Sequence, residues 1–168
     1  MRTISRLEKT LFRLQAQHAC LAMLFTAIAG KPGVVAELGL GHGRTFDHLR
    51  RHLTHPIYAF DRANDAYKDC QPDPEFLVLG EIFETLPRFA ERFPHGVILA
   101  NSDIGSFDRD RNTASATAMS RILPPAMAPG GYVMSDLPLD LPGFTPLDLP
   151  AGAPADAYYL YRAPQQSG

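Results

Sequence analysis

Residues 36–49 read AELGLGHGRTFDHL and set Gly39, Gly41 and Gly43 at alternate positions behind an acid, Glu37. Ahead of them Gly33-Val34-Val35 opens a short β-branched run. Behind them Phe46, Leu49 and Leu53 recur at steps of three and four, the spacing of one helix face. Strand, glycine turn and helix therefore follow directly on one another. Repeated glycine frees the backbone to take positive φ and lets another group come close where a Cβ would collide. Such a unit belongs in an α/β fold, and it raises the question of what approaches the turn.

The rest of the chain keeps the same alternation. Strands are expected at Val34–Leu38, Ile57–Phe60, Phe76–Leu79, Val97–Ala100, Tyr132–Ser135 and Tyr158–Arg162. Helices are expected at Arg44–Leu53, Ile82–Phe93 and about Asp110–Leu123. The span Arg62–Glu75, with Pro72 and Pro74, reads mainly as loop with at most one helical turn. Alternating β and α units imply a Rossmann-like, mostly parallel sheet with helices on both faces. From Leu137 to Pro154 prolines and glycines crowd the chain, leaving room for a short strand around Phe144–Leu149. AYYLYRA then reads as a closing antiparallel strand, partly at an edge, and PQQSG as a frayed tail. With 168 residues and no linker, the expectation is one domain: a helical segment at 1–30, a core at 33–136 and a shortened C-terminal sheet region at 137–168.

The first thirty residues carry an ambiguity. ACLAMLFTAIAG (Ala19–Gly30) is apolar, follows basic residues and ends in small ones, much like the tail of a secretory signal. Against that, the preceding stretch is long and contains Glu8. Ile4, Leu7, Leu11, Leu14, His18, Leu21, Phe25 and Ile28 also keep one three-four rhythm throughout. One amphipathic helix, or two in succession, packing on the sheet or on a twin helix in a homodimer, accounts for it. The apolar run is too short to span a bilayer. Cys20 and Cys70 stand far apart without metal-type spacing, which suits a reducing cytoplasm. A formal charge of −2 offers no electrostatic case for nucleic acid as a partner.

Ligands of open α/β sheets bind outside the carboxyl ends of the strands, where strand order reverses. Here those ends carry Glu37, Asp61, Gly80-Glu81, Asn101-Ser102-Asp103 and Asp136. Polar residues commonly follow buried strands and Asp often caps helices, so some of these acids need no ligand to explain them. The glycine spacing narrows the choice. Dinucleotide sites require G-x-G-x-x-G, but Arg44 occupies the place of the last glycine, which disfavours a nicotinamide oxidoreductase. No Gly-Lys-Ser/Thr follows either, and an acid just before the turn repels phosphate. A cationic, phosphate-free ligand suits these residues.

At this point the sequence resembles class I S-adenosylmethionine-dependent methyltransferases, whose first motif is acid-x-Gly-x-Gly-x-Gly. The resemblance runs from about Gly33 to Asp136. In ELGLGHGRTFDHL, YAFDRA, LGEIFETLP and APGGYVMSD the wording is similar to a small bacterial methyltransferase family of about this length. It implies the cofactor S-adenosyl-L-methionine. It implies that Glu37 and the turn Gly39-Leu40-Gly41-His42-Gly43-Arg44 cradle the methionine part, with the acid directed at the amino group. By the same resemblance Asp61 accepts from both ribose hydroxyls and Arg62 flanks the adenine. Gly80-Glu81-Ile82 meets the adenine edge, and Asn101, Ser102 and Asp103 lie near the transferable methyl. APGGYVMSD is a structural turn into the fifth strand. The chain departs from the pattern in lacking a helix after the second strand and a long segment after the fifth. It also has no Asn-Pro-Pro-Tyr or Pro-Cys motif after the fourth, which leaves the acceptor open.

Transfer from a sulfonium needs alignment more than a nucleophile, and a base only where the acceptor must lose a proton. Asp103 is the first candidate for base or orienting group and Asp136 the second; bracing the loop is the structural alternative for Asp103. His48 and His52, four apart, suit either a solvated helix face or, less well, a metal, since no acid or cysteine stands at ligand spacing. Gln15, Gln17 and His18 reach the rim if the first helix folds over it. Methyl transfer to a small-molecule acceptor is the first functional expectation. A non-catalytic cofactor-binding sensor or assembly protein of the same fold is the second.

Overall fold

The computed structural model describes residues 4–165. The tail expected to fray at PQQSG falls, from Gln166 onward, outside the described residues. The chain opens with one continuous helix, α1 (Arg6–Ile28). A reciprocal cap starts it: Ser5 Oγ accepts from Glu8 N–H at 3.1 Å, and Glu8 Oε2 accepts from Ser5 N–H at 2.6 Å. Only the later part of its apolar rhythm packs inward, through Ala16, Cys20, Leu21, Leu24 and Ile28. Ile4, Leu7, Leu11 and Leu14 remain exposed, Leu7 at 79%.

Then follow β1 (Val34–Leu38), α2 (Arg44–His52), β2 (Ile57–Asp61), β3 (Leu77–Leu79), α3 (Ile82–Arg92), β4 (Val97–Ser102), α4 (Arg109–Ile122), β5 (Met127–Ser135), β6 (Thr145–Leu147) and β7 (Tyr159–Arg162). Two short 3₁₀ turns, Lys68–Cys70 and Pro74–Phe76, occupy the proline-bearing link between β2 and β3. The sheet order is β3-β2-β1-β4-β5-β7-β6. β1 to β5 run parallel; β7 is antiparallel to β5, and β6 to β7. β7, expected partly at an edge, lies inside the sheet, because β6 pairs with its far side and takes the edge itself. β5 starts earlier than the turn reading of Ala128-Pro129-Gly130-Gly131 implied. Those residues form a bulge, with pairing resuming from Met127 to Tyr132 opposite Val97 and Leu99.

Alternation along the strands divides the core. Val35, Leu99, Met134 and Leu160 join α1 together with Phe46 and Leu49 of α2 on one face. Ala36, Leu38, Ala100 and Val133 face Leu86 and Phe89 of α3, Met119 of α4 and Leu123 just after it on the other. Among the described residues no helix follows β5. Leu139 and Leu141 of the connecting loop fill that place in the core, and Leu139 N–H donates to Tyr161 Oη at 2.9 Å. Among the described residues no helix is long and apolar enough to cross a membrane. After β1 the chain moves to β2 and β3 on one side and returns with β4 on the other. The reversal of strand order therefore lies between the carboxyl ends of β1 and β4.

Candidate active site

A cavity of about 720 Å³ opens at that reversal, within the range of small-molecule sites. The glycine turn forms its floor, and the three glycines do different things. At Gly39, with φ +95°, an added Cβ would lie 2.8 Å from the Asp103 carbonyl oxygen, so what approaches it is the end of β4. Gly41, φ +50°, has open space where a side chain would begin, with nothing beyond its chain neighbours within 4 Å, and it lines the cavity instead. Gly43 packs beneath Cys70 and starts α2 without a side-chain cap. Gly39→Ala is therefore expected to cost at least about 2 kcal/mol of stability in a denaturant melt, from strain and collision together. Gly41→Ala should melt closer to wild type yet bind ligand less well, because its methyl enters the cavity.

Gly39, Leu40, Gly41, Gly43 and Arg44 line the cavity, with Asp61, Arg62, Glu81, Ile82 and Asp103 around the rim. Asp61 is tied to the turn: its Oδ2 accepts from Gly41 N–H at 2.8 Å and its Oδ1 from Arg62 N–H at 2.7 Å. A carboxylate has about four acceptor positions, so two remain for a ligand. Arg62 Nε pairs with Glu81 Oε1 at 2.7 Å and links the ends of β2 and β3. Beyond them Ile82 and Phe83 of α3 and Ala114 and Ala118 of α4 give the same cavity an apolar part of its lining.

Glu37, Gly80, Asn101, Ser102 and Asp136 stand outside the cavity lining. Gly80 N–H donates to the Asp61 carbonyl at 2.9 Å and holds β3 against β2. Glu37 is 1% exposed and accepts from Asn101 Nδ2 at 2.8 Å. Burial pushes its carboxyl up to about 8, the Asn101 hydrogen bond opposes this and the charge of Asp103 adds to it. Asn101 Oδ1 and Ser102 Oγ are buried without a hydrogen-bond partner among the described residues. Asp136 accepts from Gly105 N–H at 2.7 Å and Ile104 N–H at 3.2 Å, so it braces the loop after β4. Burial, then the nearby Asp103 charge, lift it to about 7.

Sequence reading passed over several lining residues. Phe83, Ala114, Ser115 and Ala118 carry only ordinary helical signals, Arg13 lay unassigned on α1, and Leu14 read only as part of its apolar packing stripe. Gln17, expected at the rim if α1 folds over it, is there; Gln15 is exposed on α1 and absent from the lining. His18, His48 and His52 gather with Phe25 on the outer side of α1 and α2, the His48 and His52 rings 4.3 Å apart. Among the described residues no group of His, Cys, Asp and Glu is arranged to hold a metal.

Sheet order, switch-point cavity, glycine turn and an acid ending the second strand together define the class I methyltransferase fold. Within that class, the chain belongs to the S-adenosyl-L-methionine methyltransferase family whose model matches residues 4–163. The crystal structure of an S-adenosyl-L-methionine methyl transferase from Silicibacter pomeroyi DSS-3 is 38% identical, covers 95% of this chain and 99% of its own, and superposes with a TM-score of 0.91. Two more distant structures share the fold. The 1,6-didemethyltoxoflavin-N1-methyltransferase of Burkholderia thailandensis, with 1,6-didemethyltoxoflavin and S-adenosylhomocysteine bound, is 17% identical over 98% of this chain and 93% of its own, TM-score 0.53. An N-methyltransferase from Bradyrhizobium japonicum WM9 is 15% identical over 96% and 99%, TM-score 0.53. No curated protein matches the sequence.

The family's cofactor is S-adenosyl-L-methionine, and the residues present fit it. Gly41 leaves open space beside the turn, Asp61 keeps acceptor positions that a diol could use, and the apolar lining at Ile82, Phe83, Ala114 and Ala118 is of the kind a nucleobase packs on. Among the described residues buried Glu37 has no cationic partner.

Proposed function

We propose that this chain transfers a methyl group from S-adenosyl-L-methionine to a small-molecule acceptor, with Asp103 at the reacting end of the cavity. The observation that carries the reading is the placement of Asp61 and Asp103 on opposite sides of one turn, both lining the same cavity. When bound, the cofactor supplies an electrophilic methyl on a cationic sulfur. The chain's own residues do the rest: Asp61 fixes the ribose and the apolar lining at Ile82 and Phe83 holds the base. Asp103 orients the acceptor, or takes its proton where one must leave. Asp136, held near 7 by burial and anchored to two backbone amides, keeps the Asp103 loop in place. Coverage of the cavity by α1, through Arg13, Leu14 and Gln17, supports a small acceptor over a polymer. The free, buried thiols of Cys20 and Cys70 support a cytoplasmic setting.

Calorimetric titration with S-adenosyl-L-methionine, S-adenosylhomocysteine and NAD, followed by a labelled-methyl screen of small acceptors, tests this reading. The first two should bind and NAD should not. With an acceptor in hand, Asp103→Asn is expected to slow transfer roughly tenfold to a hundredfold; unchanged turnover removes Asp103 from the chemistry. The short, helix-free connection after β5 favours a second reading, a non-catalytic cofactor binder. Binding with no transfer to any acceptor would select it.

A further inference from the structure

Arg13 reaches the site from the other end of the sequence. Its Nη1 donates to Asp103 Oδ2 at 3.2 Å and to Tyr158 Oη at 3.0 Å. One turn further along α1, Gln17 Nε2 donates to Thr45 Oγ1 at 3.2 Å and approaches the same Asp103 oxygen at 3.5 Å. Tyr158 is 2% exposed and belongs to the core cluster packed with α1, so the guanidinium of Arg13, whose side chain is 44% exposed, bridges a buried phenol and the Asp103 carboxylate. Arg13 and Asp103 both line the cavity.

We propose that Arg13 is a positioning residue of the methyl-transfer site: it holds the Asp103 carboxylate toward the acceptor side and offsets its charge as felt by the sulfonium. The proposal rests on the reading that S-adenosyl-L-methionine occupies this cavity. Its physical motive lies in what an unpaired carboxylate would do there. A bare negative charge attracts the cationic donor before reaction, and that attraction fades as positive charge leaves the sulfur. Such binding stabilises the ground state more than the transition state and slows the step. Pairing with Arg13 lowers that attraction and leaves Asp103 its remaining acceptor positions for the methyl acceptor. Tyr158 anchors the arginine, so α1 completes the site in addition to covering it.

The two partners of the ion pair should shift ligand choice in opposite directions, which a structural role would not do. The readout is the ratio of affinities for S-adenosyl-L-methionine, whose sulfur is charged, and S-adenosylhomocysteine, whose sulfur is neutral, by calorimetry on the full chain. Arg13→Met, which keeps the apolar stem, should raise preference for the charged ligand about fivefold, the size expected of one partly screened charge several ångströms away. Asp103→Asn should lower it by a similar factor, and the double variant should return near wild type. Arg13→Lys should stay within about twofold of wild type, and Tyr158→Phe should move the ratio in the Arg13→Met direction by less. An unmoved ratio in both Arg13→Met and Asp103→Asn, with wild-type protein binding both ligands, overturns the role of Arg13 alone. Failure of wild-type protein to bind either ligand overturns the cofactor reading beneath it.

Discussion

Asp61→Ala is expected to weaken S-adenosyl-L-methionine by about 100- to 1,000-fold in calorimetric titration, with little change in the melting midpoint of the empty protein. The side chain does two jobs at once. It holds the Gly41 amide and thereby the shape of the turn, and it keeps acceptor positions directed at the cavity. Hydrogen bonds to a charged group contribute about 1.5–3 kcal/mol each, so losing two to a diol costs roughly 3–4 kcal/mol even after partial replacement by water. Stability should suffer less, because Asp61 is half-buried at a strand end and the Gly41 amide it releases is solvent-accessible. Asp61→Asn separates the two jobs. It keeps one acceptor oxygen for the turn, and an intermediate loss of about tenfold should follow. S-adenosylhomocysteine should be weakened by the same factor, since the ribose is common to both ligands. Equal affinity of wild type and Asp61→Ala would remove the ribose from this position and with it the orientation assigned to the cofactor.

What could be read from the sequence was whatever is encoded locally. Strand–glycine–helix at residues 34–53 is a contiguous pattern, and β1 falls at Val34–Leu38 as its hydrophobic run implies. β2 and β4 end a residue or two later than their apolar runs, because Asp61, Asn101 and Ser102 continue the ladder before it opens. Position across the sheet was less legible. β7 and β6 both read as short, late strands, and only pairing decides which becomes the edge. Side-chain partnerships across the fold were not legible at all. Arg13 meets Asp103 ninety residues away and Tyr158 a further fifty-five beyond that, and nothing in the spacing of α1 marks it apart from the other basic residues there. The small residues Ala114 and Ala118 line the cavity together with Ile82 and Phe83 only because the fold brings α4 beside the start of α3. The strand-end acids show the same limit from another side: one pattern in sequence divides in space, with Asp61, Glu81 and Asp103 at the cavity and Glu37 and Asp136 behind it.

That division gives the empty protein a stability that falls as pH rises, and Glu37→Gln should remove most of the fall. Burial holds Glu37 near 8 against an ordinary 4.5, and Asp136 near 7 against 3.8. Below about pH 3 both are protonated whether the chain is folded or not. As pH rises the unfolded chain releases these protons first, while the folded chain keeps them until its own pKa values are reached. The stabilising contribution is therefore complete below the unfolded values and is lost through about pH 7 for Asp136 and about pH 8 for Glu37. One such group contributes a slope of about 1.4 kcal/mol per pH unit, so Glu37 accounts for roughly 4 kcal/mol between pH 5 and 8. Denaturant melts of the empty protein across that window should show Glu37→Gln flatter by this amount and more stable than wild type at pH 8, since a Gln carbonyl can still accept from Asn101. Cofactor should reverse the comparison. An ammonium brought near Glu37 favours its ionised form, so binding at pH 7 should release a proton and its apparent enthalpy should depend on the buffer. That dependence should vanish in Glu37→Gln, along with part of the affinity. Parallel stability curves for the two proteins would mean that Glu37 is ionised in the folded chain, and the buried acid behind the turn would then need a cation already built into the protein.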